Sequence, residues 1–111
     1  MSLLDLNVSR LDAITGGEPA LNRDLVTVVL EDAETAIGRL VSSLGERDAV
    51  KGSAHAHQLK GLCANVGAER LADAALRLER AIDTGDWTVA GQLFDEILSA
   101  LATLRGVAGS L

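Results

Sequence analysis

The sequence predicts an all-α protein, an antiparallel up-down four-helix bundle with a short additional helix at its N-terminus. Three observations lead there. Only 2% of the residues are aromatic, one Phe, one Trp and no Tyr, which is too few for a β-sandwich or barrel. The apolar fraction of 48% is dominated by Leu and Ala, both strong helix formers. Pro and Gly fall at intervals that suit helix starts and stops. A chain of 111 residues can support one core without staples and has no room for a second, so residues 1–111 read as a single domain.

Each element follows from local signals. A short helix over about 8–15, with Ser9 as its cap, closes at Gly16-Gly17. Pro19 opens the first long helix, about 19–44, at a position where a missing N–H costs nothing. Its three-four spacing selects Leu21, Leu25, Val28, Val29, Ala36, Ile37, Leu40 and Leu44 as the inward face. Val26, Leu30 and Ala33 form a second stripe that could receive the short helix. Asp48 caps a helix over about 48–65 that stops at Gly67 and turns Leu59, Leu62, Cys63 and Val66 inward. The next, about 68–84, buries Leu71, Ala75, Leu78 and Ile82 and stops at Gly85. Asp86 caps the last, about 87–105, with Val89, Leu93, Ile97, Leu101 and Leu104 inward and Trp87 anchoring the bundle's end. The tail from Gly106 is expected to fray.

Charge and cysteine content narrow the function. The formal net charge of −6 opposes phosphate backbones, and no basic cluster offsets it, so nucleic acid is not an expected partner. The single Cys63 cannot form an intramolecular disulfide, which suits a reducing compartment. No apolar run is long enough to span a bilayer, and the N-terminus has neither a basic region nor an apolar signal core. The expectation is a cytoplasmic monomer without membrane contact.

Candidate chemistry gathers on the third helix. At about 100° per residue, with His57 at zero, Ser53 falls near −40°, Lys60 near −60°, Gly61 near +40° and Ala64 near −20°. Leu59, Leu62, Cys63 and Val66 lie on the far side, about 140° to 240° round. His57 therefore faces solvent, with an ammonium one turn on and small neighbours. Mid-helix Gly61 costs about 1 kcal/mol relative to Ala, which makes sense if something approaches that face closely. An exposed neutral imidazole is a nucleophile near neutral pH, and Lys60 could offset phosphoryl charge. A hairpin turning near Val66-Gly67 brings Glu79 level with His57, where its carboxylate could hold the second ring nitrogen and fix the tautomer.

Other constellations fail. His55 lies about 160° from His57 on the same helix, so the two cannot chelate one ion, and no convergent set with Cys63 offers a metal site. Ser42, Ser43 and Ser53 have no recognisable base partner, and no glycine-rich phosphate loop appears. An autonomous hydrolase or kinase is not expected.

The run Ala56-His57-Gln58-Leu59-Lys60-Gly61, followed by Gly67-Ala68 and Leu78-Glu79, resembles the histidine-containing phosphotransfer (HPt) domain family. Asp5-Leu6, Leu11-Asp12, Glu31-Asp32 and Gly85-Asp86 fit its layout, so the resemblance covers nearly the whole chain. It implies a phosphorelay intermediate. His57 would be the phosphoacceptor, Lys60 the phosphate-stabilising lysine and Gly61 the small residue that admits a receiver domain. Glu79 falls where some members place a glutamine that bonds the histidine. Phosphoryl would arrive from a receiver aspartate and leave to another, on response regulators or hybrid histidine kinases. Magnesium would belong to the receiver, with no cofactor on this chain. Docking would use Ser53, Ala54, Gln58 and Ala64, with Leu11 and Ile14 of the short helix nearby. Two alternatives remain open: the phosphoacceptor domain of a chemotaxis-type kinase, labelled without any receiver, and a non-catalytic adaptor that binds receivers without phosphoryl chemistry.

Overall fold

The computed structural model describes residues 7–108, which form five helices. They are α1 (Val8–Thr15), α2 (Pro19–Gly45), α3 (Ala49–Asn65), α4 (Glu69–Asp83) and α5 (Trp87–Ala108). Helices α2 to α5 close a ring in chain order, each packed against its sequence neighbours and α5 returning to α2, with α1 against α2. The α3–α4 seam thus lies opposite the α2–α5 seam.

Side-chain caps set several of the starts. Asp48 Oδ1 accepts from the Lys51 N–H at 3.0 Å, and Asp86 Oδ1 accepts from that of Val89 at 3.2 Å, satisfying donors with no partner inside the helix. At α1 the cap is Asn7 rather than Ser9, its side-chain Oδ1 accepting from the Arg10 N–H at 3.1 Å. Helix α5 continues through Gly106 to Ala108, past the point where the sequence suggests fraying. Asp5, Leu6 and residues 109–111 lie outside the described residues.

The buried face of α2 differs from the expected one. Val26, Leu30, Ala33, Ala36 and Leu40 enter the core, while Leu21 and Val28 are exposed and Leu25, Val29, Ile37 and Leu44 are half-buried. Apolar residues run almost continuously from Leu25 to Leu30, so two faces satisfy helical spacing. The stripe of Val26, Leu30 and Ala33 wins, continued by Ala36 and Leu40, and the small Ala33 lets a neighbour approach closely. On α5, Ala90 and Phe94 join Ile97, Leu101 and Leu104 inside, whereas Val89 is exposed and Leu93 half-buried. Leu62 on α3 is likewise half-buried.

Two contacts fix the ends. Buried Asn22 donates to Asp12 Oδ1 at 2.8 Å and accepts from the Thr15 hydroxyl, locking α1 onto α2. The α3–α4 turn passes through Gly67, at φ +75°. The Asn7 N–H donates to its carbonyl at 2.7 Å, and a Cβ on Gly67 would stand 2.6 Å from the Asn7 carbonyl oxygen. Only a residue without a side chain admits that approach.

Candidate functional site

Helix α3 carries the exposed histidine and α4 its partner. His57 Nδ1 lies 3.3 Å from Glu79 Oε1, with the histidine side chain 64% exposed and the carboxylate 19%. The hairpin at Gly67 produces this register, placing the two residues on facing edges of α3 and α4. With Nδ1 directed at a carboxylate, the neutral ring carries its proton there and presents a lone pair on Nε2.

The surroundings are small and open. A Cβ on Gly61 would meet nothing within 4 Å, so the helix is notched beside the imidazole. Ser53, Lys60, Gly61 and Ala64 are half-buried, and Ala54 and Gln58 exposed. No intrachain ion pair engages Lys60 among the described residues. Its ammonium, three residues on from His57, lies on the same side of the helix.

One expected docking residue is misplaced. Leu11 is 1% exposed and belongs to the core, because α1 turns that side chain onto the bundle. Ile14, one turn along, is exposed. Sequence reasoning did not single out Val50, at 83% the most exposed large apolar residue among the described residues. Seven residues before His57 bring it round to within about 20° of the histidine and about 10.5 Å along the axis. The signal was available on the same helical wheel.

The remaining candidates stand apart. His55 is half-buried on another side of α3. Cys63 is buried, and desolvation pushes its thiol up to about 12, far from a reactive thiolate. Gly52 is enclosed, its absent Cβ 3.4 Å from Ile82 Cδ1 and Cγ2 and 3.6 Å from Ser43 Cβ, so it spaces α3 against its neighbours. Among the described residues no helix is long and apolar enough to cross a membrane.

Comparison with known proteins decides the family. The model of the Hpt domain matches residues 24–111. The chain belongs to the Hpt family. A histidine phosphotransfer role in a two-component phosphorelay accompanies that membership. Among solved structures, this Hpt chain is similar to histidine-containing phosphotransfer protein B (HptB) from Pseudomonas aeruginosa PAO1. The identity is 24%, over 96% of this chain and 92% of that one, with a TM-score of 0.86. It is also similar to the HPT domain of an Hpt sensor hybrid histidine kinase from Shewanella. There the identity is 17%, over 99% and 98% of the two chains, with a TM-score of 0.67. At these identities the likeness concerns the fold, which the Hpt chain shares along its length. No curated protein sequence matches it.

Proposed function

We propose that this Hpt domain carries its phosphoryl group on His57, taking it from a receiver-domain aspartate and delivering it to another. The observation that carries this reading is the pairing of His57 Nδ1 with Glu79, which leaves Nε2 as the nucleophilic nitrogen on an exposed ring. The Nε2 lone pair attacks the phosphorus of an aspartyl phosphate. The P–N bond forms as the P–O bond to the aspartate breaks, and the carboxylate leaves. The ring, now phosphorylated on Nε2 and protonated on Nδ1, is cationic, and the Glu79 carboxylate faces that charge. Lys60 faces the phosphoryl oxygens. In delivery a second aspartate oxygen attacks the same phosphorus, the P–N bond breaks, and the electron pair returns to Nε2.

An open surface cannot exclude water by itself, so the partner completes the site. The receiver covers Ser53, Ala54, Gln58 and Ala64, reaches Val50 at one end and Ile14 at the other, and uses the notch at Gly61 for close approach. Magnesium stays with the receiver, and this chain acts as a cytoplasmic carrier without kinase or hydrolase activity of its own.

The test is transfer from a phosphorylated receiver to the wild-type chain and to His57→Gln. The wild type should take up acid-labile label and the variant none, with identical helical content by circular dichroism. Equal labelling of the two would reject His57.

A further inference from the structure

On the seam opposite His57, helices α2 and α5 pack loosely and leave two shallow grooves. Val41, Leu44, Gly45, Arg47, Phe94 and Asp95 line one, near Trp87. Ile37, Gly38, Leu98, Ala102 and the Glu34–Arg105 ion pair line the other. That ion pair sets the register. Seven residues along each antiparallel helix from Glu34 and Arg105 bring Val41 opposite Leu98. These two apolar side chains, 55% and 38% exposed, stand at the middle of the face. Charges bracket them, with Glu34 and Arg105 at one end and exposed Arg47 and Asp95 at the other. Neither Arg47 nor Asp95 has an ion-pair partner among the described residues.

This pattern is self-complementary. Val41 stands on α2 between Glu34, two turns before it, and Arg47, in the turn that follows the helix at the other end of the same groove. A two-fold axis through the Val41–Leu98 level, perpendicular to the helices, lays α2 on a second α2 and α5 on a second α5, each pair antiparallel. Glu34 then meets Arg47 of the other copy. Asp95 falls about 6 Å short of Arg105 along the axis, within the reach of an arginine side chain. Like charges never coincide. An isologous contact requires this reciprocity, and an apolar centre with a charged rim is ordinary interface anatomy.

We propose that the α2–α5 face is a self-association surface, through which two copies pair antiparallel with both His57 sites facing outward. This replaces the monomer that the sequence suggests, and it stands independently of the role assigned to His57. The face spans about 20 Å along the helices and two helices across, a footprint of roughly 400 Å2, at the low end for specific contacts. Association is therefore weak, with Kd on the order of 10–500 μM.

Sedimentation equilibrium of the full chain up to about ten times that range tests the pairing, with fluorescence of Trp87, the chain's single tryptophan, as a second readout. Two double variants decide the geometry. E34R with R105E keeps the intrachain pair but sets like charges across the interface. R47E with D95R does so from the other end. Each alone should weaken association at least about tenfold, and an equimolar mixture should restore it, since every cross-contact is then opposite in sign. Thermal melts by circular dichroism confirm that both fold. A wild-type chain that sediments as a monomer throughout overturns the proposal. So does a mixture that associates no better than its components, or dimerisation indifferent to all four substitutions.

Discussion

Glu79 Oε1 stands 3.3 Å from Nδ1 of His57 across the α3–α4 seam, and this contact selects the tautomer of an exposed ring. Unrestrained imidazole distributes its proton between both nitrogens, and only the Nδ1–H form offers Nε2 as a nucleophile. Replacing Glu79 by Ala should return the ring toward the Nε2–H form. Nitrogen-15 NMR of His57 reads that ratio directly. Phosphoryl uptake should slow about 3- to 10-fold, in line with loss of one orienting hydrogen bond of about 1 kcal/mol. Glu79→Gln, which keeps an acceptor, should retain the tautomer better than the alanine. An unchanged ratio in Glu79→Ala would remove Glu79 from the mechanism.

Lys60 has no ion-pair partner among the described residues, so its removal should leave stability within about 0.5 kcal/mol. Lys60→Ala should instead slow transfer several-fold. Stopped-flow transfer assays and a urea melt separate the two effects. A variant as fast as wild type would make the lysine a solvated bystander.

Gly61 makes opposite demands on fold and function. A side chain there meets open space, and Gly61→Gln replaces the poorer helix former, so stability should rise by up to about 1 kcal/mol. The filled notch should nonetheless obstruct the receiver. Transfer is expected to fall at least tenfold while Tm holds or increases. Normal transfer would sink the close-approach argument.

Gly67 and Gly85 have nearly the same backbone, at φ +75° and +73°, but different surroundings. Gly67 abuts the Asn7 carbonyl, whereas Gly85 has open space. Alanine at Gly85 should cost about 1 kcal/mol from backbone strain alone. At Gly67 the cost should be larger by about 1–3 kcal/mol, because Asn7 must move and α1 loosens with it. Urea melts of the two variants should show that gap, and equal losses would mean the Asn7 contact yields freely.

Burial gives Cys63 a folded pKa of about 12 against an ordinary 9.0, so its thiolate exists mainly in the unfolded chain. Below pH 9 this thiol adds no pH dependence. Above it the unfolded state releases the proton first, and stability falls by about 1.4 kcal/mol per pH unit until the folded thiol titrates. Cys63→Ala should lack that component of the alkaline slope. Matching slopes in urea melts at pH 9–11 would show that the thiol ionises without unfolding.

Much of this arrangement was legible in the residues. His57, Lys60 and Gly61 share one side of α3 because helical geometry fixes it, and the Gly67 turn sets the register that brings Glu79 to His57. The failures have physical causes. Along α2 two apolar faces satisfy the same spacing, and the buried one is the stripe that carries the small Ala33 rather than the one that carries Leu21 and Val28. Leu11 looked available because a helix of only about two turns gives little clue to its rotation, which the buried Asn22 hub determines. Gly52 showed no role because its neighbours Ser43 and Ile82 come from two other helices.

Helix α3 is clasped by α4 on one flank and α2 on the other, while α2 and α5 share the sparsest contact in the ring. Thermal breathing should therefore begin at the seam remote from the histidine, with amides on α3 and α4 the last to exchange. The imidazole should then keep its bearing on a stiff mount while the opposite wall flexes, so that a visiting receiver finds its target already set.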